Sequence, residues 1–242
     1  REVEDVDADL ILLDTFDGAY KATKHLIKSG HERIAFLGNS QDFSTKRFAG
    51  YKKALEDYDI CLDQEMFFSN LVCKDDVFEA METISASAAL PTAVIAANGA
   101  VLLPILEYCN GHNIIIPKDL SIVSLNDFFW THLSVPSITC IDKMPGKVAE
   151  KAFQVIRKRI EENPEKKPYS DDLQKREKIV MPIQLNVRES TCGIGRGPFG
   201  EKAENAESLT LSAAEYELVR EKKYTAAVSF HYTGKAWMQL LE

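Results

Sequence analysis

Residues 92–125 read TAVIAANGAVLLPILEYCNGHNIIIPKDLSIVSL, and their periodicity decides the fold. Thr92 to Ala97 is an unbroken apolar run of strand length, Val101 to Asn110 is a helix that Gly111 ends, and Asp119 to Leu125 is a second strand. Two short apolar strands joined by a helix make a βαβ unit, in which the strands lie parallel and the crossover is right-handed. The same rhythm runs upstream. Ala8 to Leu13 predicts a strand, and Asp17 to Ser29 a helix with Tyr20, Leu26 and Ile27 on one face and Gly30 as its stop. Arg33 to Leu37 is a buried strand closed by Gly38, and Lys46 to Tyr58 a helix with Phe48, Tyr51, Ala54 and Leu55 inward. Met66 to Val72 reads as a strand and Asp75 to Ser87 as an amphipathic helix. Downstream, Pro136 to Ile141 is extended, and Gly146 to Glu162 is a helix with Val148, Ala152, Val155, Ile156 and Ile160 facing in. Ile179 to Val187 is a last strand interrupted by Pro182, which confines it to an edge or a crossing position. Short strands alternating with helices predict the α/β class, a parallel sheet flanked by helices.

Domain organisation follows from where this rhythm stops. Residues 1–192 are expected to form one core, with a polar, proline-bearing loop over Asn163 to Lys175. Residues 193–206 are a glycine-rich linker, and residues 207–242 open a second α/β module. In that module Ser212 and Glu215 make a capping box, Thr225 to Phe230 a strand and His231 to Gly234 a turn. A start of roughly 30 residues cannot bury its own apolar face, so the chain is expected to be a fragment of a longer protein.

Composition narrows the function classes. The chain has 242 residues, 45% hydrophobic and 27% charged, ordinary for a globular protein. Its 29 Lys and Arg against 37 Asp and Glu give a net charge of −8, unlike the basic face of a domain that grips phosphate backbone. Any DNA-reading part is therefore expected elsewhere. The five cysteines, Cys61, Cys73, Cys109, Cys140 and Cys192, are scattered with no CxxC, which fits reduced thiols in the cytoplasm better than a disulfide framework. No apolar run reaches the roughly 18–20 residues of a membrane span, so no membrane partner is expected. Gly195 to Gly200 satisfies GxGxxG but lacks the strand before it and the helix after it that a dinucleotide site needs, and reads as linker. The five histidines are isolated, and there is no G-x-S-x-G elbow, P-loop or HExxH. No catalytic residue, metal or cofactor is predicted.

Several phrases, in order, resemble the effector-binding core of LacI/GalR regulators, which are related to periplasmic sugar-binding proteins. They are Asp14 to Tyr20, His25 to Gly38, Arg47-Phe48-Ala49-Gly50-Tyr51, Pro91 to Asn98, Ile116 to Val123 and Arg188-Glu189-Ser190. The resemblance implies a periplasmic-binding-protein-like type I lobe with a partial second lobe, since the family carries most of one lobe and a helix-turn-helix domain ahead of the stretch matching Leu10 to Tyr20. It implies a small-molecule effector, a sugar, bound in a cleft between lobes, operator DNA bound only through the absent N-terminal domain, and a homodimer. It also implies ligand-binding roles for Arg47 and Asn98. An arginine fork can bridge two hydroxyls or meet a carboxylate. Asn126 stands where the family usually has a ligand-gripping Asp, Ser124 where it has Gly, Gly99 where an acid is common, and Val72 near the place of a stacking aromatic. Arg47, Asn98, Asn126 and Val72 are thus the candidate ligand-binding residues. Residues 214–242 look like the opening of a periplasmic-type sugar-binding protein. Two rival readings share the scaffold: a solute-binding protein of a sugar uptake system, and an enzyme, since fold does not settle function.

Overall fold

The computed structural model describes residues 8–40, 46–87, 89–162 and 177–191, all within one unit spanning Arg1–Lys202. In chain order its elements are β1 (Leu10–Leu13), α1 (Thr15–Lys28), β2 (Ile34–Leu37), α2 (Lys46–Asp57), β3 (Phe67–Phe68), α3 (Lys74–Ala86) and β4 (Ala93–Ala96). They continue with α4 (Gly99–Gly111), β5 (Ser121–Ser124), β6 (Thr139–Asp142), α5 (Pro145–Glu162), β7 (Lys178–Met181) and β8 (Gln184–Asn186). The main sheet has the order β3-β2-β4-β5-β6-β8, parallel from β3 to β6 with β8 antiparallel at the edge. β1 and β7 form a separate parallel pair.

Every residue of β2, β4 and β5 is buried, which is why each reads as an unbroken apolar run. Successive side chains point to opposite faces. Ala35, Leu37, Val94, Ala96 and Ile122 pack under α3 and α4, with Met81, Leu102 and Ile105. Ile34, Phe36, Ala93, Ile95 and Val123 pack under α1 and α2, with Leu26, Tyr51 and Leu55. The result is a three-layer α/β/α lobe.

Two contacts explain the R-x-x-G-Y phrase. A Cβ on Gly50 would lie 2.2 Å from the carbonyl oxygen of Phe16, so glycine is what lets α2 lie directly against α1. Tyr51 is buried and donates from its hydroxyl to Ile34 O at 2.8 Å, while its ring packs with Phe36, Phe48 and Phe67. Burial raises the Tyr51 pKa, so the hydroxyl stays a donor.

Pro182 sits where the chain leaves β7 and enters β8, so the segment crosses from the small pair to the main sheet, as its sequence predicts. Two expectations fail. The strand expected over Met66 to Val72 is only Phe67–Phe68, because a 3-10 turn (Gln64–Met66) whose start is capped by Asp63 occupies its first residue. In α5, Val155 is buried, but Ile156 and Ile160 are 58% and 65% exposed, alongside Phe153 at 66%. Periodicity marks an apolar stripe, whereas burial needs a layer against it, and the main packing partner of α5 among the described elements is the narrow β1. Arg159 ties the two together through a bidentate pair with Asp9, at 2.6 and 2.8 Å.

Cys61 and Cys73 are exposed free thiols, and Cys109 and Cys140 are buried ones whose pKa values burial pushes up to about 11. Among the described residues no helix is long and apolar enough to cross a membrane, and no group of three or more His, Cys, Asp or Glu could hold a metal ion. The expected loop over 163–175, the linker over 193–206, the module over 207–242, the GxGxxG phrase and Cys192 lie outside the described residues.

Candidate functional site

In an open parallel sheet the helices begin beside the carboxyl ends of the strands, and ligands bind there. Arg47 lies in the first turn of α2, and its Nη1 donates to Ala97 O, just past β4, at 2.9 Å. Asn98 caps α4: its Oδ1 accepts the Val101 N–H at 3.1 Å. Gly99 opens that helix under an aromatic ring, since a Cβ there would lie 2.4 Å from Phe128 Cζ. Phe128 in turn stacks on Trp130, with centroids 5.8 Å apart and planes 4° apart.

Asn126 leaves β5 through a tight turn in which the Ser124 hydroxyl donates to Asn126 O at 2.7 Å and accepts its N–H at 3.2 Å. The Asn126 Oδ1 accepts a hydrogen bond from Lys143 Nζ, one residue beyond β6. Lys143 and Arg47 line one small recess, with Thr15 on its rim and Leu125, Ile141 and Ile183 as its apolar wall. Of the predicted residues only Arg47 lines this recess; Asn98 follows Ala97, whose carbonyl Arg47 holds at the end of β4, and Asn126 beyond β5 reaches the lining through Lys143. Val72 lies beyond β3, 80% exposed, outside the recess, with its N–H donating to Asp76 Oδ2 at 2.8 Å.

Lys143 is the residue sequence reasoning missed. Its one local signal is a cation at the carboxyl end of an apolar strand, and a lysine there reads equally as a solvated turn residue. The Asp127 carboxylate, next in sequence to Asn126, does not line the recess. Arg188 donates to it from Nη2 at 2.6 Å and Nη1 at 3.1 Å, with Thr131 and Asn186 as further donors. Burial works to raise the Asp127 pKa, but the guanidinium and the other two donors outweigh it and hold the carboxyl below its ordinary value. Ser190 completes the R-E-S phrase as a staple, donating to Ile122 O at 2.6 Å and accepting the Thr139 N–H at 2.8 Å.

A doubly wound lobe with open strand carboxyl ends is a scaffold on which α/β proteins commonly bind ligands. The chain belongs to the periplasmic binding protein-like domain family, whose profile matches residues 23–191. It is similar to the HTH-type transcriptional repressor PurR of Mannheimia succiniciproducens, 28% identical over 186 residues, which are 76% of this chain and 53% of that protein. It is also similar to PurR of Vibrio atlanticus, 30% identical over 167 residues, 68% of this chain and 50% of that protein. The chain spans about half the length of the curated relatives it matches. Among solved structures, a transcription regulator from Lactobacillus plantarum is 28% identical with a TM-score of 0.63, covering 76% of this chain and 68% of that one. A LacI family regulator from Enterococcus faecium, with bound ribose, is 22% identical with a TM-score of 0.67, covering 80% and 69%. The LacI/GalR resemblance and the fold it implies are borne out.

Proposed function

We propose that this chain is the effector-sensing core of a cytoplasmic DNA-binding transcriptional regulator rather than an enzyme. The effector is a small hydroxylated molecule of the carbohydrate class, held at the carboxyl ends of β4, β5 and β6. Arg47 is its principal ligand, with Asn98 and Asn126 beside it and Val72 at the outer edge. The observation that carries the reading is that Arg47, from the start of a helix, and Lys143, from just beyond a strand end and bonded to Asn126, line one recess though they lie far apart in sequence. The repressor relatives support the regulatory role.

The rest of the regulator is part of the same proposal. Operator DNA is bound by a helix-turn-helix domain outside this stretch, and the apolar stripe Phe153, Ile156 and Ile160 packs against the remainder of a second lobe. The regulator is a homodimer, with the exposed Phe129, Leu133 and Val135 (82%, 68% and 97%) in its contact, since large apolar groups left in water mark interfaces. Effector binding then shifts the closure of the lobes through its differential affinity for the two states.

The test is titration calorimetry on the full-length regulator with a panel of pentoses, hexoses and their acidic derivatives. Arg47→Ala is expected to weaken the bound member by ~10–100-fold, the loss of hydrogen bonds to a charged group. Unchanged affinity in that variant would sink the assignment of the site.

A further inference from the structure

We infer that Phe128 is a positioning residue of the effector site: seated on Gly99, its ring holds the loop that carries Asn126 against the helix start that Asn98 caps. This rests on the reading of the strand carboxyl ends as that site. Gly99 is the first residue of α4, where glycine is a poor helix former, and its φ does not lie in the left-handed region that would call for glycine. What calls for it is room. A Cβ there would lie 2.4, 2.8 and 3.3 Å from Cζ, Cε2 and Cε1 of Phe128. The outer edge of the ring therefore sits on the helix backbone, in the space a side chain would fill.

The loop leaving β5 is held on its other side by polar bonds. Asn126 accepts from Lys143 beyond β6, and Asp127 is held by Arg188 and by Asn186 of β8. These bonds draw the loop toward β6 and β8, whereas Phe128 reaches the opposite way, to the helix that follows β4. Thr131 closes the loop on itself, its N–H donating to Phe128 O at 3.0 Å and its hydroxyl to Asp127 Oδ1 at 2.6 Å. The stack on Trp130, 4° from parallel, sets the plane of the ring. A ring pushed off Gly99 has to retreat about 1 Å to regain ordinary carbon contact. So tightly tied a loop passes that shift to Asn126, two residues earlier. The lobe itself tolerates it, because what yields is the tip of a side chain on a loop and not, as at Gly50, the backbone of a packed helix.

The test is titration calorimetry on the full-length protein with ribose, glucose and gluconate as probes, for Gly99→Ala, Phe128→Leu and the two together. Gly99→Ala is expected to weaken the probe that the wild type binds by ~10-fold, the worth of one well-placed hydrogen bond, with the melting temperature held within about 2 °C. Phe128→Leu, which removes the ring tip, is expected to weaken it as well. The double variant is expected to bind more tightly than Gly99→Ala alone, because leucine leaves room for the new Cβ. Wild-type affinity in Gly99→Ala, or a double variant no tighter than that single one, overturns the role of Phe128; where Arg47→Ala still abolishes binding, the effector site stands. If Gly99→Ala does not fold, Phe128→Leu decides alone, and unchanged affinity there overturns the inference. Binding that survives Arg47→Ala, or no binding of any probe, overturns both.

Discussion

Asp127 and Arg188 stand 61 positions apart in sequence, yet they make a fork-to-fork pair whose side chains are only 16% and 19% exposed. Removing one partner strands the other charge in a place poor in water, so Arg188→Ala is expected to cost about 3 kcal/mol in chemical denaturation. The pair also makes stability depend on pH. The native Asp127 carboxyl titrates below its unfolded value of about 3.9, so its contribution is complete above that value and is lost as pH falls through the lower native one. Denaturation midpoints measured from pH 6 downward are expected to fall steeply in the acid range for the wild type. Asp127→Asn should start lower and fall less; an unchanged acid slope would separate Asp127 from the effect. At this scale the place of Arg47 at the start of a helix was legible in the sequence, because the apolar period over Lys46 to Tyr58 marks that helix. Lys143 was not, because its significance lies in reaching Asn126, and no spacing rule links a strand end to the neighbouring strand's turn.

Elements show where local preference and tertiary contact oppose each other. Helix propensity alone favours Ala over Gly by about 1 kcal/mol, so Gly50→Ala in α2 would stabilise an isolated helix. In the lobe the added Cβ meets the Phe16 carbonyl at 2.2 Å, and backbone cannot rotate aside. The sign therefore reverses: Gly50→Ala is expected to destabilise by about 2 kcal/mol, seen as a melting temperature lowered by roughly 5 °C, and a rise would mean that α1 and α2 separate freely. α5 shows the same opposition from the side of burial. Its apolar stripe was plain in the sequence, but which members of it are covered depends on the layer placed against it, and Ile156 and Ile160 remain exposed.

For the molecule as a whole, the apolar loop beyond β5 bears on assembly. The full-length protein is expected to elute as a dimer in light-scattering chromatography at micromolar concentration, and paired Leu133→Asp and Val135→Asp substitutions to shift it to monomer without lowering its melting temperature. A dimer unchanged by both would place the contact elsewhere. The α/β class, the order of its elements, the place of Arg47 at a helix start and that of Asn98 at a strand end were determined by the sequence itself, because hydrophobic period, stop residues and caps act over a few neighbouring residues. The order β3-β2-β4-β5-β6-β8, the partners of β7 and β8 on either side of Pro182, the exposed stripe of α5 and the meeting of Lys143 with Asn126 were decided only by the tertiary structure. Each is a contact between segments distant along the chain, and the free energy that selects it comes from packing and hydrogen bonding that local periodicity does not encode.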